Sequence, residues 1–546
     1  MTHRNGQTNS GPPRKFGAGG LPDDGILSMP GAETLNVIWV DIGTNPALTA
    51  DGSVQLPYHV IDDAVNAAGA LAPTISNPTV VIVMPGVYTE QVTLDTAYVY
   101  LWAWNRDTTI LRDTTKPLTI TTEFTAVRGM TIESQAANAR AILINTGVFT
   151  VFVYIEECTI VVANAANTSV YVTGDTGVIF KDCDFVGTSS ALVVYFQDDS
   201  LARLEMWECR VLGTLDFDAG SIFLKGCEIT GQLLINVSGD IFIYDNLLSF
   251  SSGSPVDGGR TRMEFRDNIF EADAASYDID AAGVNPNLSV IENNIFSGLG
   301  LHPNVGTLNP RKFVGAPGMR DYYSGIADVF VANGNDPYVI ELLIDVTLAG
   351  ALAPGMTGPV TLEGNGHTVT RANGGVILTT AGAIFRFRNV NLVGEVACSF
   401  GTAGTIPLQL LEGTVLTGRV NLSWGNVGMS VLLDGAVVTG DAFTGHCVNI
   451  TRPTGEIVIK RSKLKGAAGN AAVHYLQEND ELKIKYSTLW HGDGAANLPF
   501  SRSAAQTPDY RSHHSRYNTD PQAGAIFTNL VAAAQRFDSY DVQTDY

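Results

Sequence analysis

Charge is scarce in this 546-residue chain: Asp, Glu, Lys and Arg together make up 16%, against roughly 25% in ordinary soluble domains. What charge there is leans to one sign, with 33 basic and 55 acidic side chains and a net charge of −22. That balance argues against general nucleic-acid binding. No stretch approaches the roughly 18 consecutive apolar residues that cross a bilayer, so no membrane insertion is expected. The opening residues, MTHRNGQTNSGPPRKFGAGG, lack an apolar h-region, which predicts no secretory signal. A chain of this kind is expected either to stay where it is made or to leave by lysis or within a particle. The six cysteines contain no Cys-x-x-Cys pair, so zinc-ribbon and dithiol redox motifs are excluded. Neither a metal nor a cofactor is expected.

What is present in quantity is glycine, 56 residues, among segments crowded with Val, Ile and Thr. That mixture suits long β-structure with many tight turns. A short phrase recurs through it: an apolar residue, two polar residues, a small residue, one more residue, then an apolar one. It reads Ile155-Glu-Glu-Cys158-Thr-Ile160, Phe180-Lys-Asp-Cys183-Asp-Phe185, Met206-Trp-Glu-Cys209-Arg-Val211 and Leu224-Lys-Gly-Cys227-Glu-Ile229. It goes on as Ile243-Tyr-Asp-Asn246-Leu-Leu248, Phe265-Arg-Asp-Asn268-Ile-Phe270 and Ile291-Glu-Asn-Asn294-Ile-Phe296. Val127-Arg-Gly-Met130-Thr-Ile132 is an earlier, less regular copy, and successive copies lie 18 to 28 residues apart. After a gap the phrase resumes at Phe387, Leu411, Leu433, Ile459 and Ile484, with Leu362 at its start.

A coil of three short strands with their turns needs about this many residues, whereas a propeller blade needs about 40 or more. The predicted fold is therefore all-β: a single-stranded parallel β-helix, right-handed, in two runs. Apolar first and sixth positions supply an inner ladder, and the small fourth position suits an inward bend. Stacked Asn amides or thiols can satisfy one another there. The first four cysteines, all at that position, are expected to be buried thiols rather than a disulfide framework.

Five regions follow. Residues 1–35 read as an extended arm whose Arg4, Arg14 and Lys15 precede the first acid, Asp23; a basic arm on an acidic body is an electrostatic anchor. Residues 36–300 form the first run, with a capping helix in Tyr58 to Leu71, where Val60, Ile61, Ala64, Val65 and Ala68 share a face. Residues 301–355 interrupt the coils, 356–494 hold the second run, and 495–546 leave it as a cap or subunit-contact tail. A helix is expected in the tail near Ile526 to Phe537.

The stretch Gly52 to Leu94, with its helix and PGVYTEQVTL, resembles the opening of pectin-lyase-like β-helix proteins. That superfamily holds pectinesterases, polysaccharide lyases, polygalacturonases and many phage tailspikes. With the repeats, the resemblance covers roughly residues 40 to 490. Against the pectinesterase pattern, Asp216 takes the nucleophile's place. Ser189 and Ser190 stand where that family has a Gln-Asp pair, and its Leu-Gly-Arg-Pro-Trp phrase has no counterpart. A nucleophilic carboxylate without its acid and its orienting Arg is not a working esterase site. The polygalacturonase pattern points to Asp198 and Asp199, which as neighbours on a strand face opposite ways. For a lyase, Asp216 and Asp218 share a strand face, with Arg203 or Lys225 as candidate base one strand away. His513-His514 reads as a solvated pair, and His367 as part of a turn.

The tailspike resemblance implies a non-catalytic structural protein at the surface of a tailed-phage particle, spike or capsid decoration. It would be a homotrimer held by other virion proteins, with a host-surface glycan as its possible ligand. The alternative is a carbohydrate-active β-helix enzyme, with convergent carboxylates on one side of the coils between about 180 and 300. A secreted adhesin is disfavoured by the missing signal.

Overall fold

The computed structural model describes residues 35–542 apart from short joining segments, among them 188–191, 197–202, 281–288, 399–407, 423–430, 491–499 and 518–534. The chain is a parallel β-helix, built among the described residues almost wholly of short parallel strands with two short helices. It divides into two compact units, 1–239 and 240–546.

In the first unit each coil contributes one strand to each of three sheets. One sheet runs from Asn36–Val40 through Phe152–Glu156 to Ser221–Lys225, a second from Val92–Leu94 to Leu233–Ile235, and a third from Gly86–Thr89 to Glu228–Thr230. Side chains alternate along a strand, so every second residue faces inward. In the first sheet Val81, Leu101, Val127, Ile155, Phe180, Met206 and Leu224 stand in register, and all are buried. Removing such a side chain costs about 2–5 kcal/mol in a packed core.

The helix α1 (Ile61–Ala70) turns Ile61, Ala64, Val65 and Ala68 into the core. Its N-terminus is capped from a distance, because the Glu90 carboxylate accepts the backbone N–H groups of Ile61 and Asp62 at 3.0 and 2.9 Å. A carboxylate there satisfies orphan donors and complements the helix dipole.

The repeat phrase marks the turn between the first and third sheets, and the structure reassigns its positions. The third residue, not the fourth, makes the bend: Glu157, Asp182 and Glu208 have φ of 54°, 52° and 55°. The fourth points inward, where Cys158, Cys183, Cys209 and Cys227 are buried free thiols, as is Cys447 in the second unit.

In the second unit the same inward position carries Asn246, Asn268 and Asn294. The Asn246 amide Nδ2 donates to Oδ1 of Asn268 at 3.0 Å, and that of Asn268 to Oδ1 of Asn294 at 2.9 Å. The second run is built differently. Its long strands Asn391–Cys398 and Val415–Leu422 bend at Gly394 and Gly418, which pair in register. A Cβ on Gly418 would lie 1.8 Å from the Gly394 carbonyl oxygen, so no larger residue fits that corner.

Two expected boundaries differ. The interruption at 301–355 holds α2 (Ile326–Asn333), but its strands Arg311–Val314, Tyr338–Leu342 and Val346–Leu348 already belong to the second run's sheets. The disguise is Lys312, which takes an inward register position and hides its ammonium by donating to Thr307 O at 2.7 Å. The tail does not leave the β-helix either: Asp509–His513, Ser515–Tyr517, Gln535–Phe537 and Tyr540–Val542 extend the sheets. Polar composition concealed them, although buried Ser515 repeats the inward small residue of Ser462 and Ser487. Of the expected helix near 526–537, residues up to 534 lie outside the described ones, and Gln535–Phe537 is a strand.

Candidate functional site

The second sheet of the first unit presents the most reactive arrangement among the described residues. In strand Thr214–Phe217, Leu215 and Phe217 are buried inward, which turns Asp216 outward. Asp218 follows just past the strand's end, on the same side as Asp216, because Tyr195, the register neighbour of Asp216, bonds to it. In the register Tyr171 stands opposite Tyr195 and Tyr195 opposite Asp216, with Leu234 on the far side.

The two aspartates live in different surroundings. Asp218 is held fast: the Tyr195 hydroxyl donates to its Oδ2 at 2.8 Å, and Asn236 Nδ2 to its Oδ1 at 3.3 Å. That bond to Asp218, then burial, pushes the Tyr195 hydroxyl up to about 12. Asp216 is half-buried, and its Oδ1 is shut away from solvent with no hydrogen-bond partner. Burial, then the negative charge of Asp218, pushes its carboxyl up to about 6. A carboxyl raised in this way beside a second, hydrogen-bonded carboxylate is a candidate for acid–base work.

Beside them lies an aromatic platform. The rings of Tyr171 and Tyr195 have centroids 5.4 Å apart and are tilted by 47°. Arg140 covers the outer end, its guanidinium carbon 3.4 Å from the Tyr171 centroid.

The sequence anticipated that Asp216 and Asp218 share a face. Arg203 and Lys225 do not join them, because both sit on the first sheet. There Arg203 pairs with Glu205 at 2.7 Å and Lys225 lies over Trp207, so the lyase-type base is not in this site. Asp198 and Asp199, like the arm residues Arg4, Arg14 and Lys15, lie outside the described residues. Tyr171, Tyr195, Asn236 and Arg140 were missed. Setting successive coils in register, rather than reading motifs along the chain, would have stacked the two tyrosines on Asp216.

A second acidic group, Glu156, Glu157 and Asp182, brings three ligand oxygens within 4.8 Å of one another. Cations from the protein already serve it: Arg128 reaches Glu157 at 3.0 Å, and Lys181 reaches Glu156 at 3.0 Å. That is the pattern of a structural ion-pair network rather than of a metal cage.

No protein-family model matches the chain, and no curated protein matches it either. Among solved structures it is similar to pectin methylesterase PemA from Erwinia chrysanthemi, at 15% identity over 46% of this chain and 90% of that one, with a TM-score of 0.25. A pectin methylesterase from Yersinia enterocolitica gives 13% identity over 40% and 80%, TM-score 0.24. The A-module of the Azotobacter vinelandii mannuronan C-5 epimerase AlgE6 gives 10% over 89% and 95%, TM-score 0.15. Likeness at this level says nothing about activity; the site's own geometry has to carry that.

Proposed function

We propose that the chain is a carbohydrate-active β-helix protein that binds a polysaccharide along the second sheet and cleaves it beside Asp216. The observation that carries this reading is the pairing of one isolated carboxyl, raised to about 6, with a second one pinned by Tyr195 and Asn236. Glycosidic cleavage asks for such a pair: a protonated acid for the leaving oxygen and a fixed carboxylate for the opposite side of the ring. Asp216 takes the acid's role and Asp218 the other. Tyr195, Tyr171 and the Arg140 over it line the path of the sugar chain beside the aspartates, one coil of about 4.8 Å after another.

Placement on a phage particle and assembly as a homotrimer are further proposals, resting on the arm's charge and on the tailspike resemblance. A spike that cleaves its receptor would unite both readings. Affinity electrophoresis through gels containing pectin, polygalacturonate, alginate or bacterial capsular polysaccharide tests the binding. At least one of these polymers is expected to retard the chain, and Tyr171→Ala with Tyr195→Ala to abolish the effect. Equal mobility in every gel would leave the purely structural reading in its place.

A further inference from the structure

The second run has one corner whose charge its fold does not call for. Residues 457–466 and 482–490, on successive coils, hold four and two cations and no acid, in a chain whose net charge is −22. In strand Glu456–Lys460 the buried Ile457 and Ile459 face inward, and in strand Glu481–Lys485 so do Leu482 and Ile484. Alternation then turns Lys460 and Lys485 outward, side by side in the register. The chain bends next at Arg461 and Tyr486, both with φ of 51°. Beyond the bend, Lys463 and Lys465 are exposed on either side of buried Leu464.

Acids serve only part of this corner. Asp434 takes Arg461 at 2.7 Å and Lys460 at 3.6 Å. Lys463 stands between Val437 and Thr488 in the register, and Lys465 between Thr439 and Trp490, so neither has an acid beside it on a flanking coil. Lys485 is exposed, with Lys460 and His513 as its register neighbours. Among the described residues no ion pair reaches Lys463, Lys465 or Lys485. Like charges on neighbouring strands weaken a sheet, so packing gives no reason for this arrangement.

We propose that Lys460, Lys463, Lys465 and Lys485 hold the phosphate groups of a phosphodiester-linked carbohydrate chain, at a binding site of the second unit that does not depend on cleavage at Asp216. The three cations without a partner are all lysines, while the arginine beside them is already paired with a carboxylate. A guanidinium fork matches a planar carboxylate, whereas an ammonium is a point charge that takes a tetrahedral phosphate from any side. Lys463 and Lys465 are two residues, roughly 6.6 Å, apart along their strand, and Lys460 and Lys485 are one strand spacing, about 4.8 Å, apart. Cations spread in this way match a polymer that sets whole sugars or polyols between its phosphates. Duplex nucleic acid carries one charge per about 1.7 Å and is repelled by the acidic body of the chain.

Calorimetric titration of the full chain with poly(glycerol phosphate) at two salt concentrations tests the site. With four lysines releasing counterions, the wild type is expected to lose affinity by about 50-fold between about 50 and 200 mM salt. Lys463→Gln, Lys465→Gln and Lys485→Gln combined leave one contact, so the loss is expected to shrink to about 3-fold, and affinity at low salt to fall by about 10-fold or more. All three side chains are exposed, so this variant is expected to melt with the wild type. Tyr171→Ala with Tyr195→Ala is expected to leave the binding unchanged, which separates this site from the one at Asp216. No binding of poly(glycerol phosphate) by the wild type would overturn the proposal, and so would undiminished binding by the triple variant. Binding of polygalacturonate or single-stranded DNA that depends equally on the three lysines would overturn it as well, by showing a patch that takes any anion.

Discussion

The side-chain amide of Asn294 donates to Oδ1 of Asp321 at 3.0 Å, and its backbone N–H donates to the same oxygen at 3.1 Å. Asp321 also accepts the Asn293 N–H through Oδ2. The last amide of the asparagine ladder already donates to the Phe265 carbonyl at 3.0 Å, and the Asp321 carboxylate takes its other N–H. Asp321→Ala should leave two donors of buried Asn294 unpaired, besides the exposed N–H of Asn293, and destabilise the local coils by about 1–3 kcal/mol. Asp321→Asn, which keeps an acceptor, should cost less. Hydrogen exchange of amides 290–296 checks both, since stability in a stacked repeat is local.

Within the same ladder, Asn268 is both donor to Asn294 and acceptor from Asn246, through side chain and backbone alike. Asn268→Leu removes both roles and puts a larger apolar group among amides, at a cost of about 2–4 kcal/mol. Asn268→Cys should cost less, because Cys fills the equivalent position in four coils of the first unit. Chemical denaturation with a probe in the second unit ranks the two.

The thiols of Cys158, Cys183, Cys209, Cys227 and Cys447 are at most 2% exposed. They should not react with a thiol reagent in the native chain and should all react once it is denatured. Rapid native labelling of any of the first four, located by mass spectrometry, would contradict the inward placement of the repeat's fourth position.

Asp216 also makes a prediction about stability. Its carboxyl is raised from 3.8 to about 6 in the folded chain, so the folded state holds that proton more tightly than the unfolded one. The group is tolerated below about pH 4 and becomes a growing cost as pH rises through 6. Asp216→Asn should therefore stabilise the first unit at pH 8 by about 1–2 kcal/mol after solvent screening, with the gain vanishing towards pH 4. Melting curves across that range read the sign directly.

The inner half of this structure was legible because burial leaves a periodic trace. Ile155, Phe180, Met206 and Leu224 recur at fixed offsets from one small residue, and only a stacked coil demands that. The bend itself was not legible. A positive φ at Glu157 or Glu208 leaves no compositional mark, since glutamate is not a residue that signals one. The start of the second run was hidden for a similar reason: Lys312 satisfies its ammonium locally and so breaks the apolar pattern without breaking the strand. The outer face was half legible. Spacing within one strand put Asp216 and Asp218 together, but Tyr195 and Asn236 reach Asp218 from neighbouring coils about 20 residues away, at distances that vary with each turn.

The central claim is that Asp216 works as a protonated acid on a bound polysaccharide. The most direct measurement is reducing-end release against pH, for the wild type and Asp216→Asn, on whichever polymer retards the chain. The wild-type rate is expected to fall as pH rises through about 6, and Asp216→Asn to be slower by about 100-fold or more, with binding retained. A polymer that is bound but released at the same rate by both proteins, or by neither, would contradict it.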